Sequence, residues 1–150
     1  MNASAVMDPH PTTVKPTDKI KKAVKFIMEN RYRNLPVIDE NGCYLGVFGV
    51  NCLLKLVLPK PVLMEQGLKN ISFIHESLHD LHERLREIED EDVTICMSTD
   101  ITTVSPDTPL LETLLILYEN RVSIPVLDPD SCKLLGMISY FDVGEHILSA

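Results

Sequence analysis

NLPVIDENGCYLGVF, residues 34–48, and SIPVLDPDSCKLLGMISYFDV, residues 123–143, carry one pattern twice. In each, a proline leads into an apolar pair and an aspartate, then a turn, then a second apolar segment built around a Leu-Gly step. The flanks repeat as well. Met28-Glu29-Asn30-Arg31 returns as Tyr118-Glu119-Asn120-Arg121, and Val14-Lys15-Pro16 as Val104-Ser105-Pro106. Val14 to Val104 and Gly46 to Gly136 are intervals of 90 residues, whereas Pro36 to Pro125 is 89. The second copy is therefore one residue shorter before its proline and regains that residue in the following turn. A duplication of this kind defines the architecture before any single element is assigned.

Each copy reads as strand, helix, strand, strand, helix. In the first, Thr17 is expected to cap a helix whose apolar stripe is Ile20, Ala23, Val24, Ile27 and Met28. In the second, Thr108 takes that place with Pro109 at the first helical position, and the Leu-rich helix after it implies deeper burial. Short strands are expected at Thr13-Val14 and Thr103-Val104, then at Val37-Ile38 and Val126-Leu127. Asn41-Gly42 is a strong hairpin signal before the strand from Tyr44 to Gly49, matched by Leu134 to Ser139. Final helices start near Asn51 and Phe141. The expected fold class is mixed α/β (α+β): two pseudo-symmetric β-α-β-β-α repeats, 1–58 and 94–150, with a helical insert at 59–93. From Ile71 the insert shows a stripe of Ile74, Leu78, Leu81, Leu85 and Ile88, which either packs on the chain's own core or covers a partner subunit.

Composition narrows the function. Apolar residues make up 45% of the 150, and the formal net charge is -8. An acidic surface argues against nucleic acid or an anionic membrane as partner. The opening residues lack a basic and apolar leader, and no apolar run is long enough to span a bilayer, so a cytoplasmic protein is expected. Cys43, Cys52, Cys96 and Cys132 show no CxxC spacing and are expected as reduced thiols. His75, His79 and His82 have helical metal-ligand spacing, but nothing completes a site, so no metal or cofactor is expected. No nucleophile elbow, phosphate-binding P-loop or dinucleotide fingerprint is present, so catalysis is not expected.

The stretch Gly136-Met137-Ile138-Ser139-Tyr140-Phe141-Asp142 bears the chemistry. A hydroxyl at a strand end beside a helix N-terminus suits an anion, and an aspartate three residues on suits a vicinal diol. Phosphate with ribose means a nucleotide; the alternative is that Ser139 and Asp142 only cap the last helix. This stretch, with the two "PV.D"-type segments, resembles a tandem pair of cystathionine-β-synthase (CBS) domains, and the resemblance covers all but the insert. It implies a regulatory module whose clefts take adenosine compounds: AMP, ADP, ATP or S-adenosylmethionine. By that resemblance Ser139 takes the phosphate side and Asp142 the ribose. The other copy contributes Thr12, Thr13 and Tyr32-Arg33-Asn34, with Arg33 and His146 as phosphate candidates. In copy one Gly49 and Cys52 stand where Ser139 and Asp142 stand in copy two, so one working site per chain is expected. A homodimer and an effector protein are the expected partners. A purely structural or dimerising module with empty clefts is the competing expectation.

Overall fold

The computed structural model of the protein describes residues 1–64, 67–71 and 74–150. Repeat one contains α1 (Ile20–Asn30), the antiparallel pair β1 (Asn34–Ile38) and β2 (Tyr44–Gly49), and α2 (Val50–Val57). The insert follows with α3 (Lys60–Leu63), α4 (Gly67–Asn70) and α5 (Leu78–Ile88). Repeat two has α6 (Leu110–Asn120), β3 (Ile124–Leu127) paired antiparallel with β4 (Leu134–Ile138), and α7 (Tyr140–Ser149). The class is α+β, with two small sheets related by the duplication. Both α1 and α6 end on an arginine in the left-handed region, Arg31 and Arg121, each at φ 58°. The expected first strands shrink to single bridges: Val14 pairs in parallel with Val37, and Val104 with Val126.

The segment that leads into each repeat packs on the other one. Residues Ala3–Ala5 and Val93–Ile95 form matching 3₁₀ turns. Past the first, Asp8 bridges Met137 on β4; past the second, Ser98 bridges Val47 on β2. The exchange extends to the helix starts. The Ile20 amide donates to the Glu91 carbonyl at 3.0 Å, and the Leu110 amide to the Met1 carbonyl at 3.1 Å. These carbonyls answer amides that a helix N-terminus leaves unpaired. Thr17 and Thr108 therefore do not cap. Lys19 and Pro109 occupy the cap positions in extended conformation, and the Thr108 hydroxyl instead accepts from the Ser105 amide.

Two hydrophobic clusters result. The first gathers Ile20, Ile27, Leu35, Val37 and Phe48 around Val93, with Met97 packed against it. The second gathers Leu117, Ile124, Val126 and Ile138 with Ala3 and Val6. Gly46 and Gly136 are where each leading segment crosses its sheet. A Cβ at Gly46 would lie 2.6 Å from the Ser98 carbonyl oxygen, and one at Gly136 2.6 Å from that of Asp8. The deep burial expected for α6 is not found: only Thr113 and Leu117 are buried, while Leu111, Leu115 and Tyr118 are exposed. A helix lying on one face of a two-stranded sheet has one side to cover, whatever its other faces carry. On α1, likewise, Met28 sits outside the buried stripe.

The insert helix starts at Leu78, where Ser77 and Asp80 form a reciprocal cap. Ile71 and Ile74 precede the helix, and positions 72 and 73 lie outside the described residues. Leu81, Leu85 and Ile88 are half-buried, and Leu85 packs against the first cluster. Arg84 ties the insert down by donating to the Val57 carbonyl and pairing with Glu76 at 2.7 Å. That much of the stripe serves the chain's own core; Leu78 is exposed.

Equivalent residues meet across the pseudo-two-fold axis. The Tyr44 amide donates to the Cys132 carbonyl and the Leu134 amide to the Gly42 carbonyl, at 2.8 and 3.1 Å. Cys43 and Cys132, 89 positions apart, are joined by a disulfide with their Cα atoms 4.8 Å apart. The expectation of four reduced thiols is thus corrected for this pair. Spacing along one copy cannot reveal a bridge between copies, and the compartment argument drawn from reduced cysteines loses that support. No helix among the described residues is long and apolar enough to cross a membrane. Closing so long a loop constrains the unfolded chain, so Cys132→Ser is expected to lower unfolding free energy by about 2–4 kcal/mol. Urea unfolding with and without reductant checks this: the wild type should lose a similar amount when reduced, and the variant should not respond.

Candidate functional site

A cleft of about 420 Å³ opens between the repeats. One wall comes from repeat two, where β4 runs into α7 and presents Met137, Ser139, Tyr140, Phe141 and Asp142. The facing wall is Thr12, Tyr32, Arg33 and Asn34, and the leading segment adds Asp8 and His10 along the rim. Of the residues singled out in the sequence, Ser139, Asp142, Thr12, Tyr32, Arg33 and Asn34 come together here. Thr13 and His146 are not on the lining. Thr13 lies between Thr12 and the buried Val14, while His146 turns back so that Nδ1 lies 2.7 Å from the Asp142 carbonyl oxygen.

Ser139 and Asp142 form a reciprocal cap at the start of α7. The Asp142 amide donates to the Ser139 hydroxyl at 3.1 Å, and that hydroxyl donates to Asp142 Oδ2 at 2.8 Å. The Ser139 amide reaches the same oxygen at 2.9 Å. Capping is thus what these two side chains do in this structure. It leaves Asp142 Oδ1 and the amides of Tyr140 and Phe141, the first two of the helix, without hydrogen-bond partners among the described residues. Those amides lie at the positive end of the helix dipole.

The facing wall is held by bonds between repeats. Arg33 donates to the Arg121 carbonyl at 2.8 Å, and its guanidinium lies 5.2 Å from the centroid of the Tyr140 ring. The Tyr140 hydroxyl in turn donates to the Leu117 carbonyl at 2.8 Å. Asn34, almost wholly buried, donates to the Ser123 carbonyl at 3.0 Å and accepts from the Ser123 amide at 3.2 Å. Its amide is therefore structural. Tyr32 Oη lies 3.1 Å from the Thr12 hydroxyl on the same wall. Asp8, His10 and Phe141 escaped the sequence reading. Phe141 adjoins the motif and could have been included; Asp8 and His10 reach the cleft only because the leading segment crosses to the other repeat.

The matching position in repeat one is built differently. Copy one has one more residue between its left-handed arginine and its proline. This brings the Arg33 carbonyl to the Val50 amide at 2.9 Å, occupying the first amide of α2. A Cβ on Gly49 would lie 2.8 Å from that same carbonyl oxygen. Cys52 takes the aspartate's place, its sulfur accepting from the Gly49 amide at 3.4 Å. Among the described residues no group of three or more His, Cys, Asp or Glu side chains is arranged to hold a metal ion.

The sequence profile of the CBS domain matches residues 3–59 and 85–149, and the chain belongs to that family. It is 28% identical over 133 residues to the 5'-AMP-activated protein kinase subunit gamma-3 of Bos taurus, an alignment covering 87% of this chain and 24% of the relative. The chain therefore spans about a quarter of the length of that relative. Among solved structures, CBSX2 in complex with AMP superposes with a TM-score of 0.71 at 24% identity, covering 99% of this chain and 96% of the other. The CBS domain pair of protein MJ0100, in complex with 5'-methylthioadenosine and S-adenosyl-L-methionine, gives 0.65 at 14% identity, covering 99% and 97%.

Grafting the copy-two motif onto copy one tests the asymmetry. Gly49→Ser with Cys52→Asp is expected to lower stability by about 1–3 kcal/mol, because the new Cβ meets backbone rather than a side chain that can turn away. In a chain of this length that is a fall of about 2–4 °C in Tm per kcal/mol. Differential scanning calorimetry reads it, and an unchanged Tm would show that the Arg33 segment yields.

Proposed function

We propose that this protein is a regulatory module that binds an adenosine nucleotide, AMP, ADP or ATP, in the cleft between its repeats, with one working site per chain. The observation that carries this reading is the chemistry of the α7 start. Two unpaired helix amides and the Arg33 guanidinium form a donor set for phosphate, beside a carboxylate oxygen that can accept from ribose hydroxyls. Met137, Leu35 and Pro36 supply apolar surface for a base. The volume lies within the usual range for small-ligand sites, about 300–1,000 Å³. Arg31 and Arg33, with His10, are the basic side chains on the lining, set against Asp8 and Asp142, a balance that suits a monophosphate better than a triphosphate. The named relatives support the adenosine class: one is a subunit of an AMP-activated kinase, and others are bound to AMP or to S-adenosylmethionine. Because Arg33 and Asn34 join the two walls, ligand contact on both sides would bias how the repeats sit and so alter an effector protein bound elsewhere.

A second reading, a module that dimerises with its clefts empty, draws on the closed position in repeat one and on the apolar side of repeat two. Leu111, Leu115 and Tyr118 line one face of α6, and Ile147 and Leu148 at the end of α7 are also exposed. We assign that face to a second copy of this chain, since an isologous contact needs only one self-complementary patch. Leu115→Glu is expected to convert a dimer to monomer in light scattering coupled to size exclusion; a wild type monomeric at all concentrations would overturn the assignment.

Thermal shift with AMP, ADP, ATP and S-adenosylmethionine separates ligand binding from empty clefts. A ligand at about 100 times its Kd adds about 2.7 kcal/mol. Asp142→Ala is expected to remove the shift and Cys52→Ala to leave most of it. No stabilisation by any of the four would sink the binding proposal.

A further inference from the structure

Beside the cleft, a second recess of about 380 Å³ is lined by Arg33, Tyr118, Arg121 and Tyr140, all exposed. Arg33 and Tyr140 also line the cleft, and their stacked side chains form the partition between the two. No carboxylate lines the recess. The chain carries 22 acidic residues against 14 basic ones, and the lysines of α1 and the arginines of α5 all pair with carboxylates. Arg33 and Arg121 make no ion pair among the described residues, although the bond from Arg33 to the Arg121 carbonyl holds the two residues together. Like charges set side by side repel, and an anion between them relieves the repulsion. Arg33 spends one N–H on that carbonyl. The Arg121 guanidinium and the Tyr118 hydroxyl have no hydrogen-bond partner among the described residues. The Tyr140 hydroxyl is committed to the Leu117 carbonyl, so Tyr140 offers ring surface. The recess thus combines N–H and O–H donors with two aromatic side chains and lacks a charged acceptor.

We propose that this recess is a second binding site, which takes a phosphate monoester with a small apolar or aromatic body. Guanidinium forks match phosphate oxygens in pairs, and two of them balance the charge of a dianion. The tyrosine rings cover the carbon part of the ester, which a bare oxyanion would leave unused. The Tyr118 hydroxyl adds a donor at the rim. This site stands independently of nucleotide binding, because neither Tyr118 nor Arg121 lines the cleft of about 420 Å³. Arg33 borders both spaces, so Arg121 and Tyr118 carry the test.

The test titrates the full chain with phenyl phosphate, inorganic phosphate and phenol, read by NMR at the Tyr118 and Arg121 amides and the arginine Nε–H groups. Phenyl phosphate should saturate these signals with a lower Kd than either of the other two. Arg121→Asn removes the guanidinium yet tolerates the left-handed backbone at φ 58°. It should weaken phenyl phosphate about tenfold or more, the worth of a charge-assisted hydrogen bond. Tyr118→Ala, at an exposed position, should weaken phenyl phosphate more than inorganic phosphate, and it serves alone should Arg121→Asn not fold. Binding unmoved by either substitution would place the phosphate in the cleft and overturn the proposal. Equal binding of phenol or of inorganic phosphate would overturn it too. Tyr118 also belongs to the α6 face assigned above to a second copy, so the titration is repeated on Leu111→Glu, which spoils that face at its far end. Binding by Leu111→Glu but not by wild type would show that a second copy covers the recess, and would overturn it as a site of the assembled protein.

Discussion

Each leading segment completes the repeat it does not belong to, and the rest of the molecule depends on that exchange. Ala3 and Val6 are buried among β3 and β4 residues, and Val93 among those of β1 and β2. Two-stranded sheets are marginal alone and need further pairing or a covering helix. Here Asp8 extends β4 and Ser98 extends β2, while Met1 and Glu91 carbonyls start the helices. Neither repeat buries its own core without the leading segment of the other, so folding must couple them. The exchange also explains Gly46 and Gly136, whose missing side chains let a foreign backbone pass within van der Waals distance.

Across the axis so created, contacts fall between equivalent positions. Asn34 with Ser123 and Cys43 with Cys132 are both 89 apart in sequence. The first pair matters more to the cleft. A buried amide that answers both the N–H and the carbonyl of one residue holds Arg33 and Tyr32 at a fixed height above α7. Removing it would leave the Ser123 groups unsatisfied, which costs about 1–3 kcal/mol. The second pair clasps the hairpin tips and is not on the cleft lining.

The duplication, the strand limits at Tyr44 to Gly49 and the grouping of Ser139 and Asp142 with Arg33 were legible because each rests on local pattern: an Asn-Gly turn, a strand-end hydroxyl, a repeated proline. What escaped the sequence was whatever needs a partner ninety residues away. Thr17 and Thr108 look like caps, yet main-chain carbonyls from the exchanged segments occupy that role, and no side-chain rule anticipates them. Asp8 and His10 were invisible as cleft residues for the same reason. The cysteine bridge joins two turns that neither copy's spacing relates. On α6, leucines on several faces read as burial, although the sheet beneath offers one face and Leu111 and Leu115 stay exposed.

The inequality of the two clefts has a cause more basic than the exchange of Asp for Cys. With one residue more before Pro36 than copy two has before Pro125, copy one sets the Arg33 carbonyl against the first amide of α2, and a Cβ at position 49 would meet that carbonyl. Copy two, one residue shorter, keeps the corresponding amide open. The same extra residue serves the open cleft: it carries Arg33 across the axis to Arg121 and Tyr140, where its guanidinium roofs the α7 start. One residue of difference in length thus accompanies both the occupied amide at α2 and the open one at α7. At Gly49 the obstruction is main chain, the Arg33 carbonyl oxygen, rather than a side chain that could turn away.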